Sequence, residues 1–262
     1  MRTVKDALGR KVTFTYPPER MIALDPAITE TLYYFGLDGN IVGRTRFCIH
    51  PKDRVKQAVN VGGTKDLKME RIHELEPDLI IAEKEENTKE MVESLEKYYP
   101  VYVCEIQTVE DGITLIGELG DITGCSEEGR KLESDVQTAF NTLPDVDPVR
   151  VAYMIWKRPY MAVGRDTYIN STLEKLGFIN PFATLPNRYP EVTEQDLRDA
   201  ELDYIFLSSE PYPFRDKNHA EFLSFLPHVT PVNIDGQMFW YGARMLKAAD
   251  YFRDFIQLLE MK

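Results

Sequence analysis

The feature that most restricts the fold is a segment that occurs twice. MERIHELEPDLIIAEKEEN, residues 69–87, reads as a helix, an acidic turn and a short apolar strand, and PEVTEQDLRDAELDYIFLSSEP, residues 190–211, has the same order. Each copy is followed by a further apolar run, YPVYVCEI and HVTPVNID. A unit of this length repeated once across a chain of 262 residues points to two similar lobes.

The flanking segments extend the pattern. RMIALDPAITETLYYFGLDGNIVGRT gives a strand over 21–24, a helix over 29–35 closed by Gly36, and a new strand from Ile41. The spacing then predicts a helix over 67–75, a strand over 79–82, a helix over 88–99 and a strand over 101–106. In the second half, strands are expected near 151–156 and 204–207, a helix ends at Gly177, and an amphipathic helix covers 243–259. Strands alternating with helices at these lengths make an α/β fold with central parallel sheets, here two Rossmann-like lobes. From Ser126, Leu132, Val136, Phe140 and Leu143 keep helical spacing, so one long α-helix, roughly 25 Å at 1.5 Å per residue, is expected to bridge the lobes. The expected boundaries are 1–109 for the N-terminal lobe, 110–146 for the linker with the bridging helix, and 147–262 for the C-terminal lobe.

A net charge of −12 argues against nucleic acid and anionic lipid as partners. Three cysteines without CxxC spacing leave free thiols as the expectation. The opening MRTVKDALGRKVTF has no apolar h-region, so the chain is read as cytoplasmic if Met1 is the native start, and as periplasmic or lipid-anchored if a leader was removed.

In an open parallel sheet, ligands bind beyond the carboxyl ends of the strands, so those ends are the candidate site. They carry Pro26, Arg44, Arg46, Phe47, His50 and Lys84 in the first half, and Trp156, Arg158, Tyr160, Tyr212, Phe239, Trp240, Tyr241 and Arg244 in the second. Aromatic and cationic side chains gathered at strand ends suit a bulky, flat or partly anionic ligand. No P-loop, GxGxxG or GxSxG stretch is present, so no catalytic residue is assigned and an enzyme is not expected. In RFCIHP, Cys48 and His50 lack the further ligands that a metal cage of their own requires, and read as a loop at the rim of the site. His73 follows Glu70 as Glu-x-x-His without a second such pair, and reads as a helix-surface residue.

DALGRKVTF, PPERMIALDPAITETLYYFGLDGNIVG, VGGTKDLKMERIHELEPDLIIA, AVGRDTYINSTLEKLGFINPF and DGQMFWYGAR together resemble the helical-backbone substrate-binding proteins of ABC importers for vitamin B12, haem and ferric siderophores, the class III periplasmic binding proteins. The resemblance covers nearly the whole chain. It implies a monomer with no intrinsic cofactor that holds a small-molecule metal chelate in the cleft between its lobes and delivers it to an ABC transporter permease. It assigns transporter docking to an acidic residue on each lobe. Glu70 stands at the first position; at the second the aligned residue is Gln195, flanked by Asp196 and by Glu194, which is the candidate. A corrinoid such as cobalamin is favoured on the tryptophans and tyrosines, with a ferric siderophore or haem next on the arginines. His50 is the candidate axial ligand to a metal that arrives chelated. The alternatives are a cytoplasmic carrier or sensor of the same ligand, and a cofactor-processing enzyme.

Overall fold

A computed structural model describes residues 1–144 and 146–260. They form two compact units. The first comprises residues 1–106, 110–138 and 241–244; the second comprises 107–109, 139–240 and 245–262, apart from the residues outside those described.

The first unit opens with an antiparallel hairpin, β1 (Arg2–Lys5) and β2 (Lys11–Phe14). Then follow β3 (Met21–Ala23), α1 (Pro26–Tyr34), β4 (Ile41–Arg44), β5 (Val59–Asn60), the two-residue pair β6 (Gly62–Gly63) and β7 (Asp66–Leu67), α2 (Met69–Leu75), β8 (Leu79–Glu83), α3 (Lys89–Leu95) and β9 (Val101–Cys104). The sheet runs β5-β4-β3-β8-β9, parallel throughout. All five residues of β8 are buried, as expected of a central strand covered on both faces. Ile22, Leu24, Val61, Ile72, Ile80, Val92 and Val103 form one core around it. The expected helix over 67–75 starts two residues late because Leu67 is taken by β7. The turn that allows this needs Gly62, at φ +123, where a Cβ would meet the carbonyl of Asp66 at 2.2 Å.

Residues 110–138 group with this unit. They contain a helix that the sequence reading did not foresee, α4 (Val109–Thr123), followed by α5 (Ser126–Asn141) in the place of the expected bridging helix. The unit boundary falls inside α5, between Thr138 and Ala139. Gly112, Gly117 and Gly120 hide α4 from propensity, since glycine weakens an isolated helix. Here two glycines permit a close crossing: a Cβ on Gly120 would lie 2.8 Å from Cα of Gly129 and 2.7 Å from the carbonyl of Cys125.

The second unit holds β10 (Val151–Trp156), β11 (Tyr160–Ala162), α6 (Tyr168–Lys175), β12 (Glu191–Val192), α7 (Glu194–Asp199), β13 (Tyr204–Ser208), α8 (His219–Phe225), β14 (Thr230–Ile234) and α9 (Arg244–Glu260), whose first residue counts with the first unit. Its sheet runs β12-β11-β10-β13-β14, with β10, β13 and β14 parallel and β11 and β12 added antiparallel. Ala152, Met154, Leu197, Ile205, Leu207 and Phe222 are at the centre of one core cluster. Phe140, Phe206, Phe252 and Phe255 pack edge to face elsewhere in the unit. The duplicated segment accounts for α2–β8 and α7–β13, so the repeat corresponds to equivalent places in the two sheets.

Gly120→Ala tests the glycine crossing. In a free helix the change would stabilise by about 1 kcal/mol, but the backbone contacts force a displacement costing about 1–3 kcal/mol. A net loss of stability is expected in denaturant unfolding; an unchanged or raised midpoint would show that the helices do not depend on the close approach.

Candidate functional site

In the first unit the end of β3 is shaped by helix capping. Asp25 caps α1, its Oδ1 accepting from Ile28 N at 2.8 Å, and Pro26, half-buried, supplies the first helical residue. Beyond β4, the Arg44 guanidinium donates to the carbonyls of Val55 (3.1 Å) and Thr45 (3.0 Å). This ties Arg44 to its own loop, a different role from the ligand contact expected for it. Arg46 is exposed, with its guanidinium carbon 4.9 Å from the ring centre of Phe47 and a guanidinium nitrogen 3.8 Å from Asp66. Phe47 is 47% exposed, an apolar surface with no place in the core. His50 is half-buried two residues after Cys48.

The rim position expected for Cys48 is corrected. Its side chain is fully buried, Thr29 Oγ1 donates to Sγ at 3.1 Å, and Thr45 Oγ1 lies 3.2 Å away. Burial pushes the thiol pKa up, so it is a packing residue and a poor nucleophile. His73 sits on the surface, its Nδ1 2.7 Å from the Tyr99 hydroxyl and its ring edge-on to Tyr98.

At the end of β8, Lys84 is exposed and pairs with Glu105 at 2.6 Å. Glu83 turns inward, its Oε2 accepting from the backbone nitrogens of Glu85 and Glu86 at 2.7 and 2.9 Å. Asn87 locks the turn by accepting from Glu83 N and donating to the Thr64 carbonyl, both at 2.9 Å. Burial raises the pKa of Glu83 to about 7. Burial, with the negative charges of Glu86 and Glu83 added, raises that of Asp25 to about 8. Glu86 is raised by burial too. Nothing in the sequence marks these acids as inward-facing, because that orientation is set by the turn and not by residue type.

The segment Tyr241–Arg244 closes this unit. Arg244 is 4% exposed and its Nε donates to Glu30 Oε2 at 2.8 Å. Ala243 N donates to Thr31 Oγ1 at 3.0 Å. Gly242, at φ +71, lies so near Thr31 that a Cβ would stand 2.2 Å from its Oγ1. Tyr241 is half-buried, and its hydroxyl and the Asp25 carboxylate lie near enough for each to shift the pKa of the other. Arg244 is therefore an interior ion-pair residue.

In the second unit Trp156, at the end of β10, is 41% exposed and lies edge to face with Tyr212, ring centres 5.8 Å apart. Arg158 is exposed in the turn that follows. Lys157 and the Tyr160 hydroxyl both bond Glu221, and the Tyr160 ring packs on Phe222 and Phe225, so half of Tyr160 belongs to the core. Phe239 is 4% exposed, with Tyr153 and Phe252 at 4.8 and 5.1 Å between ring centres. Trp240 is half-buried and its indole nitrogen donates to Glu210. Of the docking candidates, Glu70 is exposed in the first turn of α2. Glu194 is exposed at the start of α7, where Thr193 and Asp196 form a capping box and Arg198 lies 3.5 Å from the Glu194 carboxylate.

Each unit thus presents its own chemistry at its strand ends. The first offers Arg46, Phe47, His50 and Lys84 around buried acids; the second offers Trp156, Arg158 and Tyr212. Among the described residues no three His, Cys, Asp or Glu side chains are placed to hold a metal ion.

A sequence profile of the family described as periplasmic binding protein matches residues 21–226. The vitamin B12-binding protein of Vibrio campbellii is 26% identical over 229 residues, 84% of this chain and 82% of the relative. That of Pectobacterium atrosepticum is 23% identical over 258 residues, 94% and 90% of the two chains. Among solved structures, the periplasmic vitamin B12 binding protein BtuF of Vibrio cholerae superposes with a TM-score of 0.75 at 21% identity, covering 94% of this chain and 99% of that one. The periplasmic heme binding protein HutB of the same organism gives 0.77 at 20% identity, covering 91% and 99%.

The buried acids make stability fall with pH. Asp25 and Glu83 have folded pKa values above their unfolded ones, so between the two the fold holds more protons than the unfolded chain. Their contribution is fullest below the ordinary carboxylate range and is lost as pH rises through about 7 and about 8. Asp25→Asn keeps the cap and removes one ionisation, so its melting temperature is expected to decline less than wild type across that window, with a gain of about 1 kcal/mol or more at the alkaline end. Parallel curves would refute the burial of a titrating Asp25. Glu30→Ala, which removes the buried carboxylate that Arg244 Nε donates to, is expected to cost about 3–5 kcal/mol in unfolding experiments.

Proposed function

Because the chain belongs to the periplasmic binding protein family, we propose that it captures a metal chelate, a cobalamin or related corrinoid in the first place, and delivers it to an ABC transporter. The observation that carries this is the likeness, over 94% of the chain, to a relative named vitamin B12-binding protein. The family is one of binding proteins, and the reading assigns no catalytic step.

The ligand contacts we assign are side chains at the strand ends. In the first unit these are Arg46, Phe47, His50 and Lys84, with Pro26 and Tyr241; in the second they are Trp156, Arg158, Tyr212 and Trp240. Exposed aromatic rings suit the apolar face of a tetrapyrrole, and arginine and lysine suit its peripheral amide or carboxylate groups. His50 is the residue assigned to axial contact with the metal, since neutral imidazole is a common ligand. Glu70 and Glu194 are the residues assigned to transporter docking, both exposed in the first turn of a helix. Haem is the second reading, favoured by the cations Arg46, Lys84 and Arg158, which match propionate groups, and by the fold shared with a heme binding protein.

Titration with cyanocobalamin, haem and a ferric siderophore, followed by absorbance and calorimetry, separates the readings. Micromolar or tighter binding of cyanocobalamin is expected, with the other two weaker. Haem binding tightest would establish the second reading, and no binding by any of the three would end both. Trp156→Ala is expected to weaken the favoured ligand by about tenfold, the magnitude of one lost aromatic contact. With aquocobalamin or haem as probe, His50→Ala is expected to abolish the absorbance shift of axial ligation.

A further inference from the structure

Trp240 sits at the end of a short 3-10 turn, Gly236–Phe239, and the residue before it, Phe239, is anchored between Tyr153 and Phe252. The backbone is therefore fixed on that side, and what remains to be set is the indole plane. The indole nitrogen donates to Oε1 of Glu210 at 2.6 Å. A carboxylate accepting from N–H at that distance makes a charge-assisted bond, roughly twice the strength of a neutral one.

Glu210 is itself held in place. Ser208, the last residue of β13, is fully buried, its hydroxyl donates to the Glu210 carbonyl at 2.6 Å, and Glu210 N lies 3.3 Å from the same oxygen. The Tyr153 hydroxyl is 3.1 Å from that Ser208 oxygen, which links the cluster to the interior. Gly236 completes the frame: a Cβ there would stand 2.6 Å from Cγ of Glu210 and from Oγ of Ser208, so the stem of the glutamate occupies the space that glycine leaves. A strand end, a turn and an acid are thus arranged around one indole N–H. That N–H, the one donor an indole has, is used within the protein, so Trp240 has no N–H to give a ligand.

We infer that Glu210 is a positioning residue of the ligand site, which orients Trp240 so that its ring face, and not its N–H, meets the flat face of the chelate. The inference rests on the proposed function for the identity of the ligand, and on the Glu210–Trp240 geometry for everything else. It makes Glu210 a determinant of affinity without contact to the ligand.

The chain has two tryptophans, so a nitrogen-15 spectrum of the full protein contains two indole N–H signals, which Trp156→Phe assigns. In wild type the Trp240 signal is expected downfield of that of Trp156 and slower to exchange with solvent. Glu210→Ala is expected to move it upfield and to weaken cyanocobalamin binding by about tenfold. Glu210→Gln retains an acceptor oxygen and is expected to keep the signal near its wild-type position and the affinity within about threefold. A Trp240 signal that stays in place in Glu210→Ala overturns the inference, as does a signal that moves while the affinity is kept. If Glu210→Ala does not fold, wild-type exchange and Glu210→Gln decide: a Trp240 indole exchanging as fast as that of Trp156 overturns it. Wild type that binds neither cyanocobalamin nor haem ends the proposed function and the ligand half of this inference, while the indole signals still report whether the Glu210 bond exists.

Discussion

The ion pair between Arg244 and Glu30 joins positions 214 residues apart in sequence, and the first unit is completed by it. A buried arginine is tolerated only when paired, and this one has Glu30 at 2.8 Å with a side chain 12% exposed. Around the pair, Thr31 accepts from Ala243 N and its hydroxyl donates to Ala27 O, so the first turns of α1 receive the returning chain. Gly242 is the residue that lets the backbone come that near. Two consequences follow. Tyr241 is delivered to Asp25, and α9 starts at a fixed point, from which Met245, Ala249, Phe252 and Ile256 proceed as buried residues of the second unit.

The strand ends of the two units are built on the same principle with different chemistry. In the first, a cap residue and a locked turn point Asp25 and Glu83 inward, where burial keeps them protonated further into the neutral range than a surface acid. The cations of that unit stand outside: Arg46 lies over Phe47, and Lys84 is beside Glu105. In the second, Trp156, Tyr212 and Phe214 form a chain of ring contacts from the rim toward the core, and Trp240 is tethered by Glu210. A rigid aromatic surface on a β scaffold loses little side-chain entropy on binding, which suits capture of a large planar ligand.

The repeat and the alternation of strand and helix were legible because both depend on hydrophobic spacing, and the strand-end rule then placed Arg46, Phe47, Lys84 and Trp156 where the fold exposes them. What escaped depends on contacts distant in sequence. α4 is disguised by its glycines, of which Gly120 is used to meet Gly129, and β11 and β12 are too short to leave a periodicity. Arg244 and Phe239 carry the residue types of a binding surface but are drawn inside by Glu30 and by Tyr153 with Phe252. Cys48, next to exposed Phe47 and Ile49, is turned inward to Thr29 and Thr45. Arg46 and Phe47 occupy a turn that Cys48 N closes on the Thr45 carbonyl at 3.2 Å, and beyond it Cys48 is sent inward while Phe47 and Ile49 stay outside.

The most direct measurement is anomalous scattering at the cobalt edge from crystals of the full chain grown with cyanocobalamin. The account expects one cobalt peak at the carboxyl-end loops, with the corrin in van der Waals contact with Trp156 and with the face of Trp240. A cobalt peak at the amino ends of the strands, or crystals containing the protein and no cobalt, would contradict it.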